Sequence, residues 1–382
     1  MQKQLSRTIS IGGFDNNSSE GVEALTIGGN APVVIQTMWK DRLSFSDLEA
    51  QNGAALVSRI NTLHKMGCRL LRFAVPDMNA AEILGHLAAM VTMPLVADIH
   101  FDYKIALRCM DCALAKIRIN PGNIGSPAKV KQVLEKAAAK NIPLRIGVNA
   151  GSLPPHLRTL VDENRLSQAE ALVQAAQDEL DLFAEYHFTN VIISIKASSI
   201  ADTLKANRLI KERTDFPLHI GVTEAGPLIA GVTRNAAALL VLLGEGIGDT
   251  IRVSLSDTME NEVIAAREIL RAAYEMTEIE HIKTRLGNNR GVQIVSCPRC
   301  GRNSFDTHAF TQKWLTALYS LDKNSSVAIM GCVVNGPGEA RHADLGITGA
   351  GDKALLFKAG NVIEAVDLSD ADKAFRNELE KL

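Results

Sequence analysis

Cys297 and Cys300 stand three apart in SCPRCGRNSF, where Pro298 and Gly301 break regular structure, so a loop there can aim two thiolates at one point. Cys332 follows an apolar run in AIMGCVVNGPGEA, and Asn335, Gly336, Pro337 and Gly338 read as a tight turn that can bring Glu339 back beside it. Three thiolates and a carboxylate together suggest a metal site. Iron–sulfur clusters are held by cysteinyl sulfur. A carboxylate in the fourth place is a hard, weaker ligand, and it marks an iron that can be released to a substrate. A closed structural zinc site takes four Cys or His ligands, and His342 could supply the fourth, so zinc stays open on the residues alone. The second C-x-x-C, Cys109 and Cys112 in ALRCMDCALAK, lies in an amphipathic helical pattern with both thiols on one face and no third ligand near; these two and Cys68 read as core.

A second set of residues points to anion binding. Arg72, Arg118, Arg145, Lys196 and Arg252 fall within short β-type runs, and Asn120, Asn149 and Ser254 follow cations at a spacing of two or four, hence on the same strand face. Asp98 and His100 share a face in the same way. Cations converging on one face repel unless an anion joins them, and a phosphate or diphosphate does so through charge-assisted hydrogen bonds. The Gly-containing strand ends NPGNIG, NAGS and TEAG leave backbone N–H groups free for the same purpose. Glu224, just after the seventh run and one residue out of phase with His219, Gly221 and Thr223, is a carboxylate at this rim that could act as a general acid. His100 reads as a phosphate donor.

These residues need a scaffold that gathers strand ends. Eight β-type runs recur at 33–38, 70–75, 95–100, 116–121, 143–149, 191–197, 217–223 and 250–255, with helix-period segments such as LVSRINTLHKM between them. The alternation predicts an α/β fold, a (β/α)8 TIM barrel with its site at the C-terminal strand ends. No Gly-rich phosphate fingerprint follows the first run, which argues against an open doubly wound sheet. TISIGG and EALTIGG predict a hairpin that could plug the N-terminal end. The barrel is expected over 1–278, a polar boundary over 276–290, and a small α+β domain carrying the thiols over 290–382. In that domain, helices are expected at DTHAFTQKWLTALYSL and DADKAFRNELEKL, and strands at VAIMGC, ALLFKAG and VIEAVD.

Composition narrows the class further. Of 382 residues, 46% are hydrophobic but only 4% aromatic, so aliphatic side chains must build the core, as in buried parallel sheet. A net charge of −2 gives no basic field for nucleic acid or anionic membrane. The first residues lack a signal peptide's apolar core and no run is long enough to span a bilayer, so a soluble, cytoplasmic protein is expected. In a reducing cytosol six cysteines read as core or ligands, not disulfides.

QTM, ADIHFD, RINPGNIG, RIGVNAGSL, SIKAS, TEAG, EGIGDTIRVSL, CPRCGR and GCVVNGPGEA, in this order along nearly the whole chain, resemble the 4-hydroxy-3-methylbut-2-enyl diphosphate synthase family. The resemblance implies a TIM barrel followed by a cluster domain of the sulfite-reductase type. The implied reaction is reductive ring opening and dehydration of 2-C-methyl-D-erythritol 2,4-cyclodiphosphate on the methylerythritol phosphate route to isoprenoids. It further implies a [4Fe-4S] cluster on Cys297, Cys300, Cys332 and Glu339, with Arg72, His100, Arg118, Arg145, Asn149, Lys196 and Ser254 at diphosphate-binding positions and Glu224 at the position of the proposed acid. A flavodoxin or ferredoxin as electron donor and a head-to-tail homodimer follow from it too. Trp39-Lys40-Asp41 departs from the family's Thr- and Asn-rich run after the first strand. Two rival readings are a zinc-ribbon module on a phosphosugar-binding barrel and a pteridine- or corrinoid-type methyltransferase barrel.

Overall fold

The computed structural model describes residues 5–15, 21–287, 291–334, 338 and 340–382, with the backbone alone at 121 and 123. The chain divides into two compact units, Met1–Asn289 and Arg290–Leu382. In the first, a short antiparallel hairpin, β1 (Ile9–Ile11) and β2 (Leu25–Ile27), precedes eight strands. These are β3 (Val34–Met38), β4 (Cys68–Ala74), β5 (Leu95–Asp98), β6 (Lys116–Ile119), β7 (Leu144–Asn149), β8 (Val191–Lys196), β9 (His219–Ile220) and β10 (Thr250–Ile251). All their pairings are parallel, in the order β8-β7-β6-β5-β4-β3-β10-β9. A parallel bridge between Ile193 and Leu218, the residue before β9, brings the two ends together into a barrel.

All eight expected strands are present, but β9 and β10 keep regular pairing for only two residues each. Beyond them Gly221 lets the Arg252 carbonyl approach to 2.4 Å of where a Cβ would lie, closer than any side chain tolerates. Helices cover the outside, and several begin where a side chain caps a free amide: Asp77 accepts from Ala80, Ser167 from Glu170, Ser199 from Asp202 and Thr258 from Asn261.

The hairpin plugs the barrel as its pattern predicts. Ile9, Ile11, Leu25 and Ile27 pack on Val34, Leu70, Val96 and Ile192, the lowest inward residues of four strands. Burying each such side chain contributes roughly 1.5–3 kcal/mol. The polar interior therefore rests on an apolar floor and opens at the opposite end. The segment read as a polar boundary also carries a helix, Glu280–Leu286. It is anchored to the first unit because Arg285 is buried, donating to the Gly248 carbonyl (2.9 Å) and to Asp249 (2.7 Å). No helix among the described residues is long and apolar enough to cross a membrane.

The second unit is a five-stranded sheet, β11 (Gln293–Ser296), β12 (Ser326–Met330), β13 (Leu345–Ala350), β14 (Lys353–Lys358) and β15 (Asn361–Asp367), in sequence order. The first three are parallel and the last two antiparallel. The helices Thr307–Tyr319 and Ala371–Leu379 pack on it through Phe310, Trp314 and Phe375. The sequence reading named β12, β14 and β15 only. β11 is a short, largely exposed edge, and β13 contains Gly346 and Gly349, which read as loop. Gly346 is there for packing: the Phe357 ring lies 2.1 Å from where its Cβ would be.

Candidate functional site

The strands present alternate residues to the barrel interior, and above the apolar floor those residues are charged. Arg72, His100, Arg118, Arg145, Asn149, Lys196, Arg252 and Ser254, all expected in the site from their spacing, line one cavity of about 100 Å³ with residues of β4–β10 and the turns that follow them. Gly147 is required within it, since a Cβ there would lie 2.4 Å from the Arg118 guanidinium.

Two carboxylates hold part of this charge. Asp98 accepts from Arg118 at 3.0 Å and pairs with Arg72 at 3.6 Å, while His100 lies 3.7 Å away. Burial pushes Asp98 up, but Arg72, His100, Arg118 and Arg145 outweigh it and hold the carboxyl well below its usual range. The second carboxylate, Glu262, comes from the helix Met259–Met276, and sequence reasoning missed it. It accepts from Arg252 (3.2 and 3.3 Å), Thr37 (2.5 Å) and the Leu255 amide (3.0 Å), and pairs with Lys40 at 2.9 Å. Nothing in the local sequence marks Glu262, because its helix otherwise reads as an outer layer.

The remaining cations lack such partners. Arg145 is 1% exposed, and its Nε and Nη1 have no hydrogen-bond partner among the described residues. Lys196 makes no ion pair there either. Burial, then the neighbouring cations, pushes both well below their ordinary values. Arg72 is pushed down to about 10 by burial, with Asp98 opposing. Lys116, which the sequence reading did not assign, is also inward and buried, two residues before Arg118 on the same face; strand parity would have found it. Among the described residues, six inward basic side chains (Arg72, Lys116, Arg118, Arg145, Lys196 and Arg252) thus face two carboxylates. Burying unpaired charge costs several kcal/mol per ion, so this interior is arranged for an anion.

Glu224 sits apart from the cavity lining. It is exposed in the turn after β9, with φ of +53°, a left-handed conformation that is strained for a non-glycine residue. The turn is clamped from the following helix, Leu228–Gly244: Asn235 accepts from the Val222 amide (3.1 Å) and Arg234 donates to the Ala225 carbonyl (3.0 Å). On the same rim, two strands round from β9, Lys40 follows β3 and donates to the carbonyls of Leu255 (2.7 Å) and Asp257. Trp39 stacks on Phe73 at 5.6 Å under the Arg59 guanidinium. The unusual Trp-Lys-Asp run thus ties the turn after β3 to the turn after β10.

In the second unit, β11 and β12 run parallel with Ser296 opposite Ile329, so the loops carrying Cys297 and Cys332 leave neighbouring strand ends. The Gly331 amide donates to the Cys297 sulfur at 3.1 Å. Gly331 cannot be larger, since its Cβ would meet Asn303 Oδ1 at 2.0 Å. Cys332 is buried, and Cys300 is exposed beyond Arg299, whose φ is +67°. Glu339 and the turn residues Asn335, Gly336 and Pro337 lie outside the described residues.

Among the described residues no three His, Cys, Asp or Glu side chains converge on a point that would hold a single metal ion. A polynuclear cluster makes no such demand, because its ligands are spaced around several irons. Three thiols on adjacent loops, one accepting a backbone N–H, form a soft donor set that fits it. His342 is exposed and its Nε2 is 3.1 Å from Arg341 Nε, which leaves it poorly placed as a zinc ligand.

The other thiols differ in kind. Burial pushes Cys68 and Cys109 up to about 12 and Cys112 upward, so all three stay protonated. Cys112 corrects the expectation in one respect. The helix Tyr103–Cys109 ends before it, and Cys112 lies half-buried in the following turn, where a Cβ on Gly85 would come 2.6 Å from its sulfur.

Fold and site together define a TIM barrel with a cation-lined mouth, joined to a smaller α+β unit bearing three loop cysteines. Residues 19–267 match the family described as the GcpE TIM-barrel domain, and residues 293–381 the GcpE protein C-terminal domain. A relative from Treponema pallidum is 48% identical over 98% of this chain and 92% of its own length. One from Treponema denticola is 47% identical over 99% of each. Both are named 4-hydroxy-3-methylbut-2-en-1-yl diphosphate synthase (flavodoxin). The chain belongs to this family. The zinc-ribbon and methyltransferase readings find no support among these relatives. Among solved structures, dihydropteroate synthase from Thermus thermophilus covers 71% of this chain and 99% of its own at a TM-score of 0.48 and 13% identity, too distant a likeness to carry an argument.

Proposed function

We propose that this chain is an oxidoreductase that converts 2-C-methyl-D-erythritol 2,4-cyclodiphosphate to 4-hydroxy-3-methylbut-2-enyl diphosphate, with a flavodoxin as electron donor and a ferredoxin as the alternative. The observation that carries the reading is the excess of buried cations over carboxylates around the 100 Å³ cavity, which a diphosphate would balance. Arg72, Arg118, Arg145, Lys196 and Arg252 would hold the cyclic diphosphate and stabilise negative charge as the ring opens. His100, Asn149 and Ser254 would orient it. Glu224, at the rim, would deliver the proton with which the substrate hydroxyl leaves as water.

Cys297, Cys300 and Cys332, with Glu339 as the exchangeable fourth ligand, would hold a [4Fe-4S] cluster. When bound, such a cluster would supply electrons one at a time, so two deliveries would make up the two electrons of the ring opening. The functional species would be a head-to-tail homodimer. Anaerobic purification followed by iron, sulfide and zinc analysis tests the cofactor, and turnover of the cyclodiphosphate with reduced flavodoxin tests the reaction. Cys→Ser at 297, 300 or 332 should abolish visible absorption and turnover, whereas Cys109→Ser and Cys112→Ser should keep both. Zinc without sulfide, or loss of absorption in Cys112→Ser, would contradict the assignment.

A further inference from the structure

One buried basic side chain has no role in the reading above. Lys116 of β6 is fully buried beneath the cavity and is not among its lining residues. Its ammonium would bring three donors, yet among the described residues it meets one acceptor, Gln36 Oε1 at 3.3 Å. The charged groups around it come from every neighbouring strand. Arg72, Arg118, Arg145, Lys196 and Arg252 are cations above it, and His219 lies in the same interior with Nδ1 on Thr250 Oγ1 at 2.7 Å and Nε2 unpartnered among the described residues. The two carboxylates are already engaged, Asp98 by Arg118 and Arg72, Glu262 by Arg252 and Lys40. Burial, then Arg145 and Arg72, pushes Lys116 well below the ordinary lysine value, and the same forces act on Lys196 and His219. An ammonium here would be buried, repelled and almost unbonded, whereas an amine needs only Gln36.

A diphosphate in the cavity reverses the field. Its charge neutralises the cations that now repel a proton on Lys116, and in a low-dielectric interior that change is felt one layer away. We infer that Lys116 is a proton acceptor coupled to anion binding: its Nζ is an amine while no anion occupies the cavity and takes one proton from solvent when a diphosphate binds. This rests on the reading of the cavity as a diphosphate site. It makes Lys116 a positioning residue, adding positive charge behind the substrate only when the substrate is there. The empty barrel is thereby spared one unpaired charge.

The experiment is titration calorimetry of the full-length protein with inorganic pyrophosphate at pH 8, in Tris and in HEPES. The difference in heat between buffers gives the protons taken up per site. Wild type should take up more than Lys116→Met by about half a proton to one proton, and the ligand's own proton exchange cancels in that comparison. Lys116→Gln, which keeps a polar group against Gln36, serves if the Met variant does not fold. Equal uptake in wild type and variant overturns the inference and leaves the diphosphate site intact. Absence of pyrophosphate binding by wild type overturns the diphosphate reading and the inference with it. As a check on wild type alone, sulfate, which does not titrate in this range, should bind roughly threefold or more weakly at pH 9 than at pH 7. Affinity independent of pH would count against Lys116.

Discussion

Arg145 and Arg118 occupy the same cavity under opposite constraints, and substituting each should separate binding from stability. Among the described residues Arg145 has two unpartnered nitrogens and no carboxylate paired with it, so Arg145→Met should weaken pyrophosphate binding by about 2–3 kcal/mol. It should hold or raise the thermal midpoint, because an unpaired buried cation is removed. Arg118→Met should weaken binding and also destabilise by about 3 kcal/mol, since Asp98 loses its 3.0 Å partner. Calorimetry and thermal unfolding check both; unchanged affinity in Arg145→Met would return that residue to a structural role. Glu224 lies outside the cavity lining, so Glu224→Gln should leave pyrophosphate affinity unchanged while lowering turnover roughly 10²-fold or more. A variant that turns over normally removes it from the chemistry. The cations were legible in the sequence because strand parity is local: a two-residue period puts Arg118 and Asn120, or Arg145 and Asn149, on one face wherever the strand goes. Glu262 was not legible, because its relation to Arg252 depends on how a helix lies against the barrel.

At the scale of elements, the turn Pro121–Ile124 after β6 is held by a neighbouring helix. Glu179, on the helix Gln168–Glu185, accepts a hydrogen bond from the Gly122 backbone. Burial, with Asp178 adding and Gly122 opposing, raises its carboxyl to about 7. A carboxyl raised on folding binds its proton more tightly in the native state. Its contribution is full below the unfolded value of 4.5 and is lost as pH rises through about 7. Wild-type stability should therefore fall between pH 5 and pH 8 by an extra ~2 kcal/mol that Glu179→Gln lacks, as urea unfolding at the two pH values would measure. Identical pH dependence would mean that Glu179 is ionised in place. Element type was readable wherever the hydrophobic period was strong, as in the eight barrel strands and the plugging hairpin. It failed where packing overrode composition. Gly346 makes β13 look like loop until the Phe357 ring is seen against it, and Arg285 turns a polar stretch into an anchored helix. The ends of β9 and β10 were overextended for a similar reason, since the close approach at Gly221 is a tertiary fact.

For the whole molecule, the proposed head-to-tail homodimer predicts that the thiols serving a mouth come from the other chain. Among the described residues the cavity lining has cations and Asp98 but no thiol, and Cys297, Cys300 and Cys332 all follow Arg290. The first unit ends with the helix Glu280–Leu286, and its position bears on this. The Arg285 side chain is bonded to Gly248 and Asp249, just before β10 begins, and its carbonyl accepts from Val33, just before β3 begins. The chain therefore leaves the barrel at the N-terminal strand ends, while the cation-lined mouth is at the C-terminal ends, where barrel sites are built. A second copy related by a two-fold axis could bring its thiol-bearing domain to the first copy's mouth and receive the same in return. Complementation tests this. Glu224→Gln and Cys332→Ser chains, each inactive alone, are mixed under conditions that allow subunit exchange. In a mixed pair, one mouth with its own Glu224 meets an intact set of three cysteines from the other chain. Activity should then reappear at up to about a quarter of the wild-type level, since random exchange makes roughly half the pairs mixed and each has one working site of two. If native mass spectrometry confirms exchange and no activity returns, each chain completes its own site.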